Sequence, residues 1–109
     1  MTMNEKKVLY LSLKKEWFEM IKSGEKKEEY RDIVPYWIRR LCEKNTKENV
    51  YEISKFEDVE FTLGYPKKDD TDKRMKFKIK DIIIGLGKPE WGATEGVHYF
   101  VIKLGDEIK

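Results

Sequence analysis

Hydrophobic and polar positions change period several times along this chain, and each change marks an element. Val8-Leu9-Tyr10-Leu11-Ser12-Leu13 is rich in apolar residues and reads as a largely buried first strand. From Lys14 to Ser23 the spacing turns helical, with Trp17, Phe18 and Ile21 on one face, packed into the core, and Met20 beside them. Gly24 follows, where a helix commonly closes with a left-handed residue. Lys27 to Asp32 reads as a second strand, which puts Lys27, Glu29 and Arg31 on one face and Glu28 and Tyr30 on the other. Val34-Pro35 opens a second helix, proline being suited to the first turn. Val34, Trp37, Ile38 and Leu41 then fall at i, i+3, i+4 and i+7 as an apolar stripe, with Arg39, Arg40 and Lys44 around it.

The second half is richer in strand signals. Glu43 to Lys55 is polar and reads as a loop. Asp58 to Leu63 alternates, with Val59, Phe61 and Leu63 against Glu60 and Thr62, and Gly64-Tyr65-Pro66 ends it. Lys67 to Lys73 is a charged connection. Met75, Phe77 and Ile79 then alternate with Lys76, Lys78 and Lys80, a lysine row that suits an exposed face. Asp81 marks a bend or bulge before Ile82-Ile83-Ile84, which reads as buried on both faces. A glycine-rich loop from Gly85 to Gly92 carries Trp91, and Val97 to Leu104 is the last strand, ended by Gly105. The pattern predicts one α+β domain over residues 1–109. It has about five to six mixed strands curled into a small β-barrel, with two short helices near the N-terminus.

Composition narrows the function classes. Charged residues make up 40% of the chain and aromatic residues 13%, so rings are available for a core beneath a heavily charged exterior. The net charge of +2 is smaller than a dedicated double-stranded DNA binder usually carries, although a local basic patch remains open. One cysteine, Cys42, allows no internal disulfide and suits a reducing cytoplasm. With His98 the only histidine, a conventional metal site is not expected, and no cofactor motif is present. The N-terminus, Met1 to Lys7, shows no signal peptide, and no apolar run reaches membrane-spanning length. The glycine loop has neither the order of a phosphate loop nor the spacing of a dinucleotide fingerprint. There is no Gly-x-Ser-x-Gly elbow, and His98 reads as a structural strand residue.

What remains is Gly24-Glu25-Lys26-Lys27-Glu28-Glu29-Tyr30-Arg31, a Gly-x-Lys-x-x-Glu-x-Arg pattern at the helix-to-strand junction. Its charged groups can be a surface ion-pair set, worth little each. They can also do chemistry. Arg31 offers a planar fork for a phosphate, a carboxylate or a base edge. Glu29 accepts hydrogen bonds or a proton, and Lys26 becomes a nucleophile if burial pulls its pKa down. On a regular strand Lys26 and Glu29 would point to opposite faces, so they converge only if Lys26 sits in the turn.

Together with Leu11-Ser12-Leu13-Lys14 and Trp17-Phe18, this stretch resembles the ASCH domain family, small barrels of the PUA-like superfamily whose signature is Gly-x-Lys-x-x-Glu-x-Arg. Gly85-x-Gly87, Trp91-Gly92 and the closing Tyr99-Phe100-Val101-Ile102-Lys103-Leu104 extend the resemblance over nearly the whole chain. It implies a cleft around the motif that handles RNA or modified nucleosides. The expected binding set is Gly24, Arg31, Tyr65 and Trp91, the last two as stacking rings. Some small relatives hydrolyse N4-acetylcytidine with a lysine, a threonine and a glutamate, and others are described as ribonucleases. Lys26 matches that lysine, Glu29 stands at the threonine position, and Glu60 is a candidate for the glutamate. The leading expectation is RNA or nucleotide binding. The enzyme alternative is an amidohydrolase on N4-acylated cytidine-type nucleosides with Lys26 and Glu29 as catalytic residues. An interaction module with a purely structural motif is a third.

Overall fold

The computed structural model describes residues 7–109, so residues 1–6, most of the segment read for a signal peptide, lie outside it. Among the described residues seven strands and two α-helices follow in the order β1 (Val8–Leu13), α1 (Lys15–Lys22), β2 (Glu28–Asp32), α2 (Pro35–Leu41), β3 (Cys42–Asn45), β4 (Val50–Ile53), β5 (Asp58–Leu63), β6 (Arg74–Leu86) and β7 (His98–Ile108). Five strands form one sheet in the order β1-β5-β6-β7-β2, and β3 pairs with β4 in a separate hairpin. β1 and β5 run parallel, Val8 facing Asp58 and Leu13 facing Leu63, while the other neighbours in the sheet are antiparallel. The fold is thus α+β around a mixed sheet, as the alternation predicts.

The sheet curls into a half-barrel because β6 and β7 fall out of step. Their register shifts between Phe77 and Ile79 and again between Ile79 and Asp81. Extra residues on one strand bend a ladder and raise its local twist. Asp81 Oδ1 accepts the N–H of Ile82, the neighbouring residue on the same strand, at 2.9 Å, so the expected irregularity at Asp81 is present. Curling brings the two edge strands together: the Arg31 Nη2 of β2 donates to the Ser12 carbonyl of β1 at 3.0 Å.

Leu9, Leu11, Leu13, Phe18, Ile21, Leu41, Val59, Phe61, Met75, Phe77, Phe100 and Ile102 are buried in the concave core. Phe18 and Ile21 are the face of α1 that seals it, and Leu41 is the corresponding anchor of α2, with Trp37 and Ile38 packed alongside. α1 ends as expected, with Gly24 at φ +88° and its N–H donating to the Ile21 carbonyl at 3.1 Å.

Several sequence expectations need correction. β1 is buried on one face only, since Tyr10 is exposed and Ser12 half-buried. Val34 is not part of the helix stripe; it is the extended residue before Pro35 and is exposed. The expected loop after Glu43 contains the β3–β4 hairpin. Its turn is held by Asn45, whose side-chain oxygen accepts the N–H groups of Lys47 and Glu48, and by Asn49 at φ 55°. Such turns draw on local side chain-to-backbone bonds, not apolar alternation, so a hydrophobicity reading overlooks them. Of Ile82-Ile83-Ile84 only Ile82 is buried, and Ile84 is exposed, because the curled sheet is covered on one side. Gly105 does not end β7, which runs on to Ile108; the glycine lies between the pairs Leu104–Ile79 and Glu107–Phe77, where the register slips.

Candidate functional site

The motif lies at the seam between β1 and β2. Lys26 precedes β2, in the turn, and its N–H donates to the Met20 carbonyl at 2.9 Å, which ties the turn to the end of α1. This non-strand backbone is what lets Lys26 and Glu29 converge. The Lys26 Nζ lies 3.0 Å from Glu29 Oε1 and donates to the Glu28 carbonyl at 2.6 Å. It also sits over the rings of Tyr30 and Trp17, with 4.8 and 5.5 Å to their centroids. Lys26 is only 2% exposed and Glu29 6%. Burial pulls the Lys26 pKa below its ordinary value, against the opposing pull of the Glu29 carboxylate.

Glu29 and Arg31 share a face of β2, as alternation predicts. Both Nε and Nη2 of Arg31 donate to Glu29 Oε2, at 3.1 and 2.7 Å. One carboxylate therefore serves two cations, Lys26 on one oxygen and Arg31 on the other. The Arg31 guanidinium lies 4.9 Å from the Trp37 ring centroid, and Arg40 covers the same ring at 5.6 Å and the Tyr36 ring at 5.5 Å. On the opposite face of β2, Tyr30 donates to Glu28 Oε1 at 2.8 Å and accepts the Lys88 N–H at 3.0 Å. Burial, the largest influence, raises the Tyr30 pKa.

Two clefts open at this seam and share Ser12, Arg31 and Trp37. The larger, about 630 Å³, is walled by three arginines, Arg31, Arg40 and Arg74, and by the rings of Tyr10, Tyr36, Trp37 and Tyr65. Arg74 is braced by Glu60 Oε2 at 3.1 Å and by the carbonyls of Pro66 and Lys67, each at 3.2 Å. The smaller cleft, about 440 Å³, is where Glu29, Trp17, Tyr30 and Asp32 line the surface.

Comparison of the chain with protein-family models, with curated proteins and with solved structures finds no match.

The geometry sorts the residues singled out from the sequence. Lys26, Glu29 and Arg31 are brought together, and Tyr65, 96% exposed, stands at the rim of the larger cleft beside them. Gly24 serves the turn that delivers Lys26. Trp91 lies elsewhere, in a depression with Lys27, Glu28, Lys80, Lys88, Lys103 and Leu104. Glu60 is paired with Arg74 across β5 and β6. Tyr10, Ser12, Tyr36, Thr62 and Arg74 line the larger cleft without having been singled out as site residues. Tyr10 and Ser12 carried a signal, being the polar-capable positions that alternate with Leu9, Leu11 and Leu13. Trp37 counted as core in the helical stripe; it is half-buried, packing on the core and also meeting Arg31.

Among the described residues, no helix is long and apolar enough to cross a membrane.

Proposed function

We propose that this chain is a PUA-like domain of the ASCH type that binds single-stranded RNA or a nucleotide in the larger seam cleft. The observation that carries the reading is the wall of that cleft: three arginines interleaved with four aromatic rings, and no carboxylate among the described residues lining it. Guanidinium groups take phosphates bidentately, and base faces stack on rings and on guanidinium planes. Arg31 and Arg40 both lie against the Trp37 ring, at 4.9 and 5.6 Å from its centroid, so the cleft offers a cation–ring cluster that an unpaired base can extend. In this reading Glu29 orients Arg31 through two hydrogen bonds, and Lys26 in turn holds Glu29.

The decisive experiment is titration of single-stranded RNA oligomers and mononucleotides at several salt concentrations. Arg40→Ala is the informative variant, because Arg40 is exposed and, among the described residues, its one side-chain hydrogen bond goes to the Tyr36 hydroxyl, at 3.0 Å. Loss of one phosphate contact should weaken binding about tenfold, roughly 1.4 kcal/mol. It should also flatten the dependence of log K on log salt by about 0.7. No binding by the wild type at low salt would overturn the proposal.

One observation favours a second reading, an amidohydrolase acting on N4-acylated cytidine-type nucleosides. A desolvated lysine lies 3.0 Å from the carboxylate of Glu29, and Glu29 lines the smaller cleft. There Lys26 would act as nucleophile or acyl-stabilising cation and Glu29 as general base. Its test is the loss of N4-acetylcytidine absorbance with wild type and with Lys26→Met. Absence of turnover at high enzyme concentration removes this reading and leaves the binding one untouched.

A further inference from the structure

The depression that holds Trp91 lies away from the arginine-walled cleft and is ringed by four lysines. Lys27 precedes β2, Lys80 is on β6, Lys103 is on β7, and Lys88 leads into the turn Pro89–Trp91. Ladder register explains how the first three meet, since Glu28 faces Lys103 across β2 and β7, and Lys103 faces Asp81 across β7 and β6. The Lys88 ammonium is 4.5 Å from the Trp91 ring centroid.

Like charges gathered on neighbouring strands repel and lower stability, so such a group usually carries its own counter-charges. Here it does not. Among the described residues, no carboxylate comes within ion-pairing distance of any of the four ammonium groups. The two acidic residues in register with Lys103 are otherwise engaged: Glu28 Oε1 takes the Tyr30 hydroxyl at 2.8 Å, and Asp81 Oδ1 takes the Ile82 N–H. Glu28 is the one carboxylate in the lining. The result is a depression of about 240 Å³ in which four lysines outnumber one carboxylate around a half-buried indole, with none of the four ammonium groups in an ion pair among the described residues.

We propose that this depression is a second nucleic-acid contact, in which Lys27, Lys80 and Lys103 receive the phosphates of a single-stranded RNA and Trp91 stacks on a base. It rests on the RNA reading above for the identity of the ligand and adds a separate surface to it. Glu28 and Tyr30 lie on the wall between the two regions, Glu28 lining this depression and Tyr30 the smaller seam cleft. In this proposal one RNA strand engages both surfaces, whereas a mononucleotide occupies one. A strand is therefore favoured over a free nucleotide as the ligand.

The test is fluorescence anisotropy of a labelled oligouridylate across a salt series, with the wild type, the triple variant Lys27→Gln/Lys80→Gln/Lys103→Gln, and Arg40→Ala. Circular dichroism establishes that each variant is folded. Each phosphate contact on a single strand contributes about 0.7 to the salt slope, so the triple variant should lower it by roughly 2. It should also bind at least about tenfold more weakly at low salt. The triple Lys→Arg version keeps the charge and should retain binding. A triple glutamine variant with the wild-type slope and affinity overturns the second contact; if Arg40→Ala is weakened in the same series, the seam-cleft reading stands without it. Weakening by the glutamine variant with none from Arg40→Ala sustains the lysine surface and removes the seam cleft. No binding by the wild type at low salt overturns both.

Discussion

Glu29→Ala isolates the arrangement on which the seam depends, because it removes one carboxylate and leaves two cations. Lys26, with its side chain 1% exposed, loses the oxygen 3.0 Å from its ammonium. Breaking a buried pair from one side costs about 3–5 kcal/mol, since the remaining charge is left unpaired in a poor solvent. The lysine can escape by losing its proton, which sets a ceiling. Deprotonation at neutral pH from an ordinary value of 10.5 costs about 1.4 kcal/mol for each pH unit, about 5 kcal/mol in all. Arg31 adds less, because it retains the Ser12 carbonyl at 3.0 Å and the Trp37 ring, and its side chain is 16% exposed. The expected loss is therefore about 3–5 kcal/mol, a large part of the stability of a domain this size. Urea unfolding followed by tryptophan fluorescence reads it as a midpoint lowered by about 2 M at unchanged slope. Lys26→Met/Glu29→Leu, which removes both charges, should recover most of that loss. A loss below about 1 kcal/mol in Glu29→Ala, or a double variant as damaged as the single one, would refute the reasoning.

The other predictions follow from local geometry. A lysine with a lowered folded pKa binds fewer protons folded than unfolded, so stability rises with pH between the lowered value and 10.5. The gap between Glu29→Ala and Lys26→Met/Glu29→Leu should accordingly narrow as pH approaches that limit; urea midpoints at several pH values check this. Tyr30 opposes the rise above its ordinary 10.0, where the unfolded tyrosine ionises first and stability falls. Gly24→Ala meets no neighbouring atom but must hold φ +88°, so thermal melts should show a loss of about 1–2 kcal/mol from backbone strain alone. Gly87→Ala fails for the opposite reason, its new methyl falling 2.6 Å from the Ala93 Cβ and 2.9 Å from the Tyr30 ring. Overpacking there should cost about 1–3 kcal/mol and change the near-ultraviolet dichroism of the tyrosines.

The elements that carry the core were legible in the residues because burial imposes a period. Phe18 and Ile21 at helical spacing, Val59 and Phe61 at strand spacing, and the break at Asp81 all follow from which side of an element faces apolar neighbours. The hairpin after Leu41 escaped because nothing in it is buried by alternation. Its strands show mostly exposed residues, and its turn is fixed by Asn45 and Asn49. Part of the site was legible too. Glu29 and Arg31 sit two residues apart on β2 and must share a face, whatever the sheet does.

The rest was settled in three dimensions. Residue order cannot say that two strands at opposite edges of the sheet will face each other, yet Arg31 of β2 meets Ser12 of β1 across the curl that the register shifts between β6 and β7 introduce. The same curvature sets Tyr10, Tyr36, Tyr65 and Arg74 around one cleft. Lys26 and Glu29, opposed on an ideal strand, converge because the turn bonds back to α1 through Met20. Ladder register, in turn, gathers Lys27, Lys80 and Lys103 beside Trp91, away from the arginines. By itself the sequence determined which faces must be buried, since hydrophobic burial is a property of each element's own period. Only the tertiary structure decided which exposed faces meet, because that depends on sheet curvature and register, and those are properties of strands in pairs.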